Sequence, residues 1–253
     1  MSVELDLGLL FAAGFVSWAI STLSAGGGSL LILAAVSYVL EGQAVAPVVT
    51  LTSFAASPAR MIILWRHIDW RVARWYAPGA ATGAVLGAWF LSRIGSHWIE
   101  LLLAGFLIST IWQYRLGARA RSFPMRLPWF LPVSFCSGLV SAVIGASGLL
   151  VNPFYLNYGL EKEAMLATRA VNSGVIQIVK IASYATFGVL TWPLVRYGLA
   201  AGLGAIAAVW ITNSWLAFLT PRRFRQLAIL VMVLGGLTIL WKQRHFLGSI
   251  LAQ

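Results

Sequence analysis

A stripe of polar side chains lies on one face of the apolar segment 164–187. Its positions are Arg169, Asn172, Ser173, Ile176, Gln177 and Lys180, of which only Ile176 is apolar. An α-helix turns by about 100° per residue, so Lys180 lies only about 20° round the helix from Arg169. Cations, amides and hydroxyls can all donate hydrogen bonds to an anion. A helix with such a stripe must face protein or a water-filled cavity, and the stripe therefore predicts an anion path.

A milder stripe with the same spacing occurs 120 residues earlier in the chain. Its positions are Val49, Thr52, Ser53, Ala56, Ser57 and Arg60. We expect the polar members of this stripe to line the same path from the opposite side. The alternative for Lys180 and Arg60 is that each long side chain reaches the membrane surface and binds no ligand. Arg169 could instead pair with Glu163 near that surface.

Two breaks rich in glycine and serine interrupt the apolar segments, SAGGGSLL from Ser24 and VIGASGLL from Val143. A break inside a membrane leaves backbone N–H groups without helical partners, and each helix that follows begins with a positive dipole end. This predicts an anion cradle. Its members are Ser24, Gly26, Gly27, Gly28, Ser29, Gly145, Ser147, Gly148 and Asn152. The alternative is that the small residues only allow helices to pack closely.

The composition is that of an all-α, polytopic membrane protein. Hydrophobic residues make up 60% and charged residues 10% of the 253 positions, whereas a soluble domain carries about 25% charged residues. We expect about eight to ten crossings. The apolar segments 28–40 and 147–158 are too short for a hydrocarbon core about 30 Å thick. They are therefore half-helices, re-entrant pieces or tilted continuations of the segment before them.

Charge and titratable residues exclude several classes of function. The net charge is +11, but the arginines occupy short loops, which is typical of cytoplasmic loops of membrane proteins and not of a nucleic-acid-binding surface. The single cysteine, Cys136, and three scattered histidines predict no metal site and no cofactor. Acidic residues all lie at loops or segment ends, so we expect no cation site. The lack of a catalytic motif predicts that the chain is not an enzyme.

Short motifs recur about 120 residues apart, such as LEGQA from Leu40 and LEKEA from Leu160. They predict one transmembrane domain, residues 1–253, built from two repeats of about four to five helices each. Repeat one spans 5–115 and repeat two spans 129–242.

The distribution of arginine predicts that the two repeats are inverted. Loop 66–74 holds three arginines and loop 92–97 holds one, whereas loop 188–196 holds one and loop 221–225 holds three. Because arginine-rich loops stay in the cytoplasm, equivalent loops lie on opposite sides of the membrane. Inverted repeats with helices broken near the midplane, where the substrate is held, are a common plan of secondary transporters.

These motifs resemble those of the TauE/SafE family of sulfite exporters. The resemblance rests on SAGGGSLL, its second copy GASGLLVNP, the RHIDW loop and two repeats in 253 residues, and it covers nearly the whole chain. It implies movement of small sulfur-containing anions, such as sulfite and sulfoacetate, across a bacterial inner membrane. Ala146 and Ser147 replace glycines in the second break, so the two half-sites would contribute unequally.

The residues and the resemblance together predict a secondary transporter that exports sulfur oxyanions or organosulfonates by alternating access. Export is the expected direction for an anion carrier without an evident coupling site, because an interior potential of about −100 mV favours loss of each negative charge by ~2.3 kcal/mol. Its partners would be the small anion and the lipid bilayer, and the chain could form a homodimer. The alternatives are an anion channel, an uptake permease for sulfur-containing anions, and a membrane accessory subunit without transport of its own.

Overall fold

The computed structural model describes residues 3–23, 28–63, 65–109, 112, 123–146, 151–160, 162–212, 233–234, 236–237, 239–241 and 243–244. Its α-helices are α1 (Val3–Leu23), α2 (Gly28–Val39), α3 (Val45–Ile63), α4 (Trp70–Arg93), α5 (Ser96–Ile108), α6 (Phe130–Ile144), α7 (Asn152–Tyr158), α8 (Lys162–Thr186) and α9 (Trp192–Thr212). Short 3₁₀ turns occupy Gly42–Ala44, Trp65–His67 and Leu127–Trp129. Within these ranges no strand occurs, so the all-helical prediction is confirmed.

Several helices have the length that a bilayer requires. Leu127–Ile144 and Trp192–Ile211 are both long and apolar enough to cross a membrane, with mean hydropathies of 1.8 and 1.7. α1, α3, α4 and α8 contain 19 to 25 residues, or ~28–38 Å at 1.5 Å per residue. Shorter apolar helices occupy Ser29–Val39 and Ser96–Ile108. The total of eight to ten crossings stays a prediction.

Exposed tryptophans mark both ends of α9. Trp192 and Trp210 are 73% and 77% exposed, and they stand ~27 Å apart along the helix. That distance approaches the ~30 Å thickness of a hydrocarbon core. Tryptophans at two such levels are typical of the two interfaces of a membrane.

Asp69 fixes the loop between α3 and α4. Its carboxylate accepts hydrogen bonds from the N–H groups of Arg71 and Val72 at 2.9 and 3.1 Å, which caps the start of α4. Its own N–H donates to Thr168 Oγ1 of α8 at 2.9 Å. This bond joins the loop that follows α3 to the first part of α8.

α3 and α8 pack against each other, and the contacts at their two ends show that they run antiparallel. The opposite end of the pair meets at Gly145, which follows α6. Gly145 lies against Ala46 and Val49 near the start of α3, and it accepts a hydrogen bond from Lys180 in the last third of α8. The middle of each helix, with its polar stripe, therefore lies at a common level.

Glycine-mediated contacts join α1 to α9 and, in the same way, α6 to α4. The contacts are Gly14 with Ala201 and Gly204 with Phe11 and Phe15 in the first pair, and Gly138 with Ala80 and Gly83 with Phe135 and Leu139 in the second. A Cβ at any of these glycines would clash with a backbone atom of the other helix. The two sets of contacts are equivalent in sequence. Each α6 residue lies 124 positions after an α1 residue, as Gly138 does after Gly14, and each α9 residue lies 121 positions after an α4 residue, as Gly204 does after Gly83.

α6 and α7 fold back on each other. Phe130 at the start of α6 and Tyr158 at the end of α7 have ring centroids 5.4 Å apart, so the chain returns to the side from which α6 begins. Of the three predictions for segment 147–158, a re-entrant piece fits its described part, Asn152–Tyr158. A tilted continuation of α6 is wrong, because the ends of the two helices could not then meet.

Candidate functional site

Polar side chains join the N-terminal half of α8 to α7 and α4. Arg169 donates to Asn152 Oδ1 at 2.9 Å, and Asn172 Nδ2 donates to the Tyr155 hydroxyl at 2.8 Å. The ring of Tyr155 stacks on Tyr76 of α4, with centroids 6.2 Å apart. Both asparagines are buried. The stripe predicted on α8 thus faces protein here, and Asn152 from the second break lies against it.

Lys180 is completely buried, with an exposed fraction of 0%. Its Nζ donates to Ser141 Oγ at 3.1 Å and to the Gly145 carbonyl at 3.0 Å, both at the end of α6. The alternative in which this side chain reaches the membrane surface is therefore wrong. Four residues further along α8, the Tyr184 hydroxyl donates to the Ala142 carbonyl. Donors close to the last carbonyls of a helix stabilise its C-terminus.

The Gly145 carbonyl accepts a hydrogen bond from Lys180, whereas the sequence predicted that the Gly145 N–H would be free to donate to an anion. Its N–H donates to the Ser141 carbonyl at 2.8 Å, so that group is used within the end of α6. The residue has φ = 101°, a left-handed conformation that favours glycine. The expectation of a free Gly145 N–H is thus wrong because α6 continues its hydrogen bonding through this position.

Three buried oxygens on α3 and α8 have no hydrogen-bond partner among the described residues. They are Asn172 Oδ1 and Gln177 Oε1 on α8 and Ser53 Oγ on α3. All three side chains are more than nine-tenths buried. Buried polar atoms in native proteins nearly always have a partner, so unpaired ones mark places where a water molecule, an ion or a ligand is needed.

Two other members of the α3 stripe bond to their own helix. Thr52 Oγ1 donates to the Val48 carbonyl at 2.8 Å, and Ser57 Oγ donates to the Ser53 carbonyl at 2.6 Å. Such back-bonding occupies the hydroxyl proton, so either hydroxyl can donate to an anion only after it leaves its backbone carbonyl. Ser173 on α8 is partly buried.

Several predicted site residues lie outside the described residues. These are Ser24, Gly26, Gly27, Ser147 and Gly148, together with the side chain of Arg60. Gly28 and Ser29 form the first turn of α2. The anion cradle predicted from the two breaks therefore stays a prediction.

Sequence periodicity missed the tyrosines and serines that complete the site. The Tyr76 hydroxyl donates to Ser137 Oγ at 3.1 Å, and Ser141 and Tyr184 hold Lys180 and the end of α6. These residues come from α4, α6 and the end of α8. The spacing of polar residues along one helix does not indicate which residues of other helices pack against it. A weak signal was available for Ser141, because GLVS from Gly138 matches GFVS from Gly14.

Most of the described polar cluster belongs to the second half of the chain, and Tyr76 of α4 joins it from the first half. In the first half, α2 takes the position that α7 takes in the second, because each comes directly before a striped helix. The side chains that α2 buries include Leu30, Ile32, Leu33 and Val36. Leu10 of α1 is likewise buried and stands 124 positions before Ser134 of α6. The two halves of the described molecule thus pack alike but differ in polarity.

One carboxylate is more enclosed than its sequence position suggested. Glu100, in the second turn of α5, is buried and accepts a hydrogen bond from Gln243 Nε2. Among the described residues no group of three or more His, Cys, Asp or Glu side chains could hold a metal ion.

A protein-family model described as "Sulfite exporter TauE/SafE" matches residues 10–239. The chain belongs to the TauE/SafE family. The match takes in α2 to α9 and most of α1, and with them all the site residues named above. No curated protein and no solved structure matches the chain. TauE/SafE proteins form a membrane transport family whose description is sulfite export, which is the family that the sequence motifs predicted.

Proposed function

We propose that this TauE/SafE protein is a secondary transporter that exports small sulfur oxyanions or organosulfonates, such as sulfite or sulfoacetate, across a bacterial inner membrane. The observation that carries the proposal is the buried polar face of α8. It holds two cationic side chains, of which Lys180 has a neutral hydroxyl and a carbonyl as partners. Neither partner carries a negative charge, so an anion bound at this face would supply the counter-charge that a protonated Lys180 lacks.

The residues proposed to contact the anion lie on both sides of the α3–α8 interface. On α8 they are Arg169, Asn172, Ser173, Gln177 and Lys180, and on α3 they are Thr52, Ser53, Ser57 and Arg60. The unpartnered oxygens of Ser53, Asn172 and Gln177 support a hydrated site on these helices, because buried acceptors need a donor such as the water that accompanies a small anion. The proposed activity is transport and involves no catalysis.

We further propose that the chain is one transmembrane domain of two inverted repeats that work by alternating access. Two features support this. The glycine contacts between α1 and α9 recur between α6 and α4, and the equivalent helices α3 and α8 run antiparallel, as a two-fold axis in the membrane plane requires. Rocking of one repeat against the other would expose the α3–α8 interface to each side in turn.

Counterflow in liposomes tests this function. Purified protein is reconstituted, the liposomes are preloaded with unlabelled sulfite, and entry of labelled sulfite is followed. A carrier gives saturable entry that internal sulfite accelerates. Flux that neither saturates nor shows counterflow would favour the channel alternative. No flux from folded protein, for sulfite or sulfoacetate, would refute transport of these anions and favour the accessory-subunit alternative.

A further inference from the structure

Three hydrogen bonds, all donated by two side chains of α8, hold the last turn of α6 in place. Lys180 donates to Ser141 Oγ and to the Gly145 carbonyl, and Tyr184 donates to the Ala142 carbonyl. Ser141, Ala142 and Gly145 are all buried, as are both donors. The end of α6 is thus fastened to α8 at a point where α3 also touches Gly145.

These contacts restrict how an anion can reach the Lys180 ammonium. The side chain is 0% exposed, and two of its N–H groups are directed at neutral oxygens of α6. Gly145 packs closely against α3, since a Cβ placed there would lie 3.1 Å from Ala46 Cα. A lysine ammonium has three N–H donors, so one remains beyond these two bonds. Because the side chain is fully enclosed, an anion can reach it only if the surrounding elements move apart, and the end of α6 is the element whose acceptors the anion can replace.

We propose that Ser141 and the Gly145 carbonyl compete with the transported anion for Lys180, so that anion binding unfastens the end of α6 from α8. This inference rests on the function proposed above. It assigns Ser141 and Tyr184 as positioning residues of a closed state, in which Lys180 bonds to the protein. In the anion-bound state Lys180 bonds to the ligand and the α6 end is released.

If Ser141 competes with the anion for Lys180, removing its hydroxyl should lower the KM for the anion. Ser141→Ala removes one partner that the anion has to displace, so we expect the KM for sulfite to fall by about fivefold, the equivalent of one hydrogen bond. A Ser141 hydroxyl that itself bound the anion would give the opposite result, a higher KM. A hydroxyl that only stabilised the fold would lower the melting temperature and leave the KM unchanged.

The pseudo-equivalent serine of α1 provides the matched control. Ser17 lies 124 positions before Ser141 in the same Gly-x-Val-Ser motif and is also buried. Ser17→Ala should leave the KM for sulfite unchanged. Tyr184→Phe removes the bond to the Ala142 carbonyl, so it should lower the KM as Ser141→Ala does, and it keeps the test decisive if Ser141→Ala does not fold.

Saturable sulfite flux is measured in proteoliposomes for the wild type and the three variants, with melting temperatures beside it. A lower KM for Ser141→Ala or Tyr184→Phe, with Ser17→Ala like the wild type, supports the competition. An unchanged or higher KM in both folded variants overturns it while wild-type transport stands. Absence of flux in the wild type refutes the proposed function itself, so the two failures are distinguished.

Discussion

At the residue scale, the site combines satisfied and unsatisfied polar groups on one helix face. Asn172 is tied to Tyr155 through its amide nitrogen, whereas its oxygen has no partner among the described residues. Gln177 Oε1 is likewise buried and unpartnered. An amide oxygen that is buried without a hydrogen-bond partner lowers the free energy of unfolding by about 1–3 kcal/mol, so it does not stabilise the fold. A binding role explains why a protein would keep one.

Gln177→Met should separate stability from transport. Removing an unpartnered buried amide should raise the free energy of unfolding by about 1 kcal/mol, since a chain of similar volume replaces it without an unmet hydrogen bond. Sulfite flux at low concentration should fall about fivefold, because the amide N–H donors that we propose to contact the anion are lost. Melting temperature and flux are measured side by side.

Ile178→Met is the control for this change, because Ile178 is the neighbouring residue and is 58% exposed on the other face of α8. It should alter neither quantity. A Gln177→Met variant that transports like the wild type would contradict a role for Gln177 in binding.

The part of the site that lies on one helix could be predicted from the sequence, and the part that other helices contribute could not. The i, i+3, i+4 spacing on α8 correctly placed Asn172, Gln177 and Lys180 on a buried face, because helix geometry alone decides which residues share a side. Tyr76 and Tyr155 could not be found in this way. They reach the same place through the packing of α4 and α7, which no pattern within one helix encodes.

At the element scale, glycines decide how closely the long helices approach. α1 meets α9 and α6 meets α4 with backbone atoms in contact at Gly14, Gly204, Gly138 and Gly83. Close approach lets dispersion forces and weak Cα–H···O contacts hold helices together where lipid provides no hydrophobic drive. The sequence predicted glycine breaks, but these packing glycines lie within helices and were not singled out by it.

Gly83→Leu and Gly204→Leu should destabilise the protein to a similar degree, by about 1–3 kcal/mol or more each, since overpacking forces two helices apart. Gly105→Leu should have little effect, as nothing lies within 4 Å of a Cβ at that glycine. Thermal melting of the three variants in detergent measures this. Unequal losses at Gly83 and Gly204 would contradict the equivalence of the two helix pairs.

Element boundaries and directions were predictable to different extents. The shortness of segments 28–40 and 147–158 was visible from the number of apolar residues, and α2 ends at Val39 within one residue of the prediction. The direction of the chain after the second break was not visible. It depends on contacts such as that between Phe130 and Tyr158, which lie 28 positions apart in the sequence.

At the scale of the whole molecule, two halves with similar packing carry unequal chemistry. The described second half encloses Asn152, Tyr155 and Lys180, while α2 of the first half buries aliphatic side chains. One site between the halves, lined mainly by the second, explains this inequality better than two equal sites. A duplicated scaffold can then move symmetrically while one half carries most of the recognition.

The inverted arrangement predicts that equivalent loops lie on opposite sides of the membrane. Replacing the single native cysteine by Cys136→Ser gives a background for Arg66→Cys and Thr191→Cys, which sit in equivalent, exposed loops before α4 and α9. In intact cells a membrane-impermeant maleimide should label the Thr191→Cys variant and not the Arg66→Cys variant. The reverse pattern should hold in inside-out vesicles. Labelling of both variants from one side would contradict inverted repeats.

The central claim is that the buried face of α8 carries an anion, and sulfite flux in Lys180→Gln tests it most directly. Gln keeps polar contacts with α6 but removes the charge, so saturable flux should fall at least tenfold while the melting temperature stays near that of the wild type. Arg93→Gln is the matched control, because Arg93 is an exposed cation that stacks on Trp89, and its flux should be unchanged. Wild-type flux from well-folded Lys180→Gln would contradict the account and leave Lys180 as a structural cap of α6.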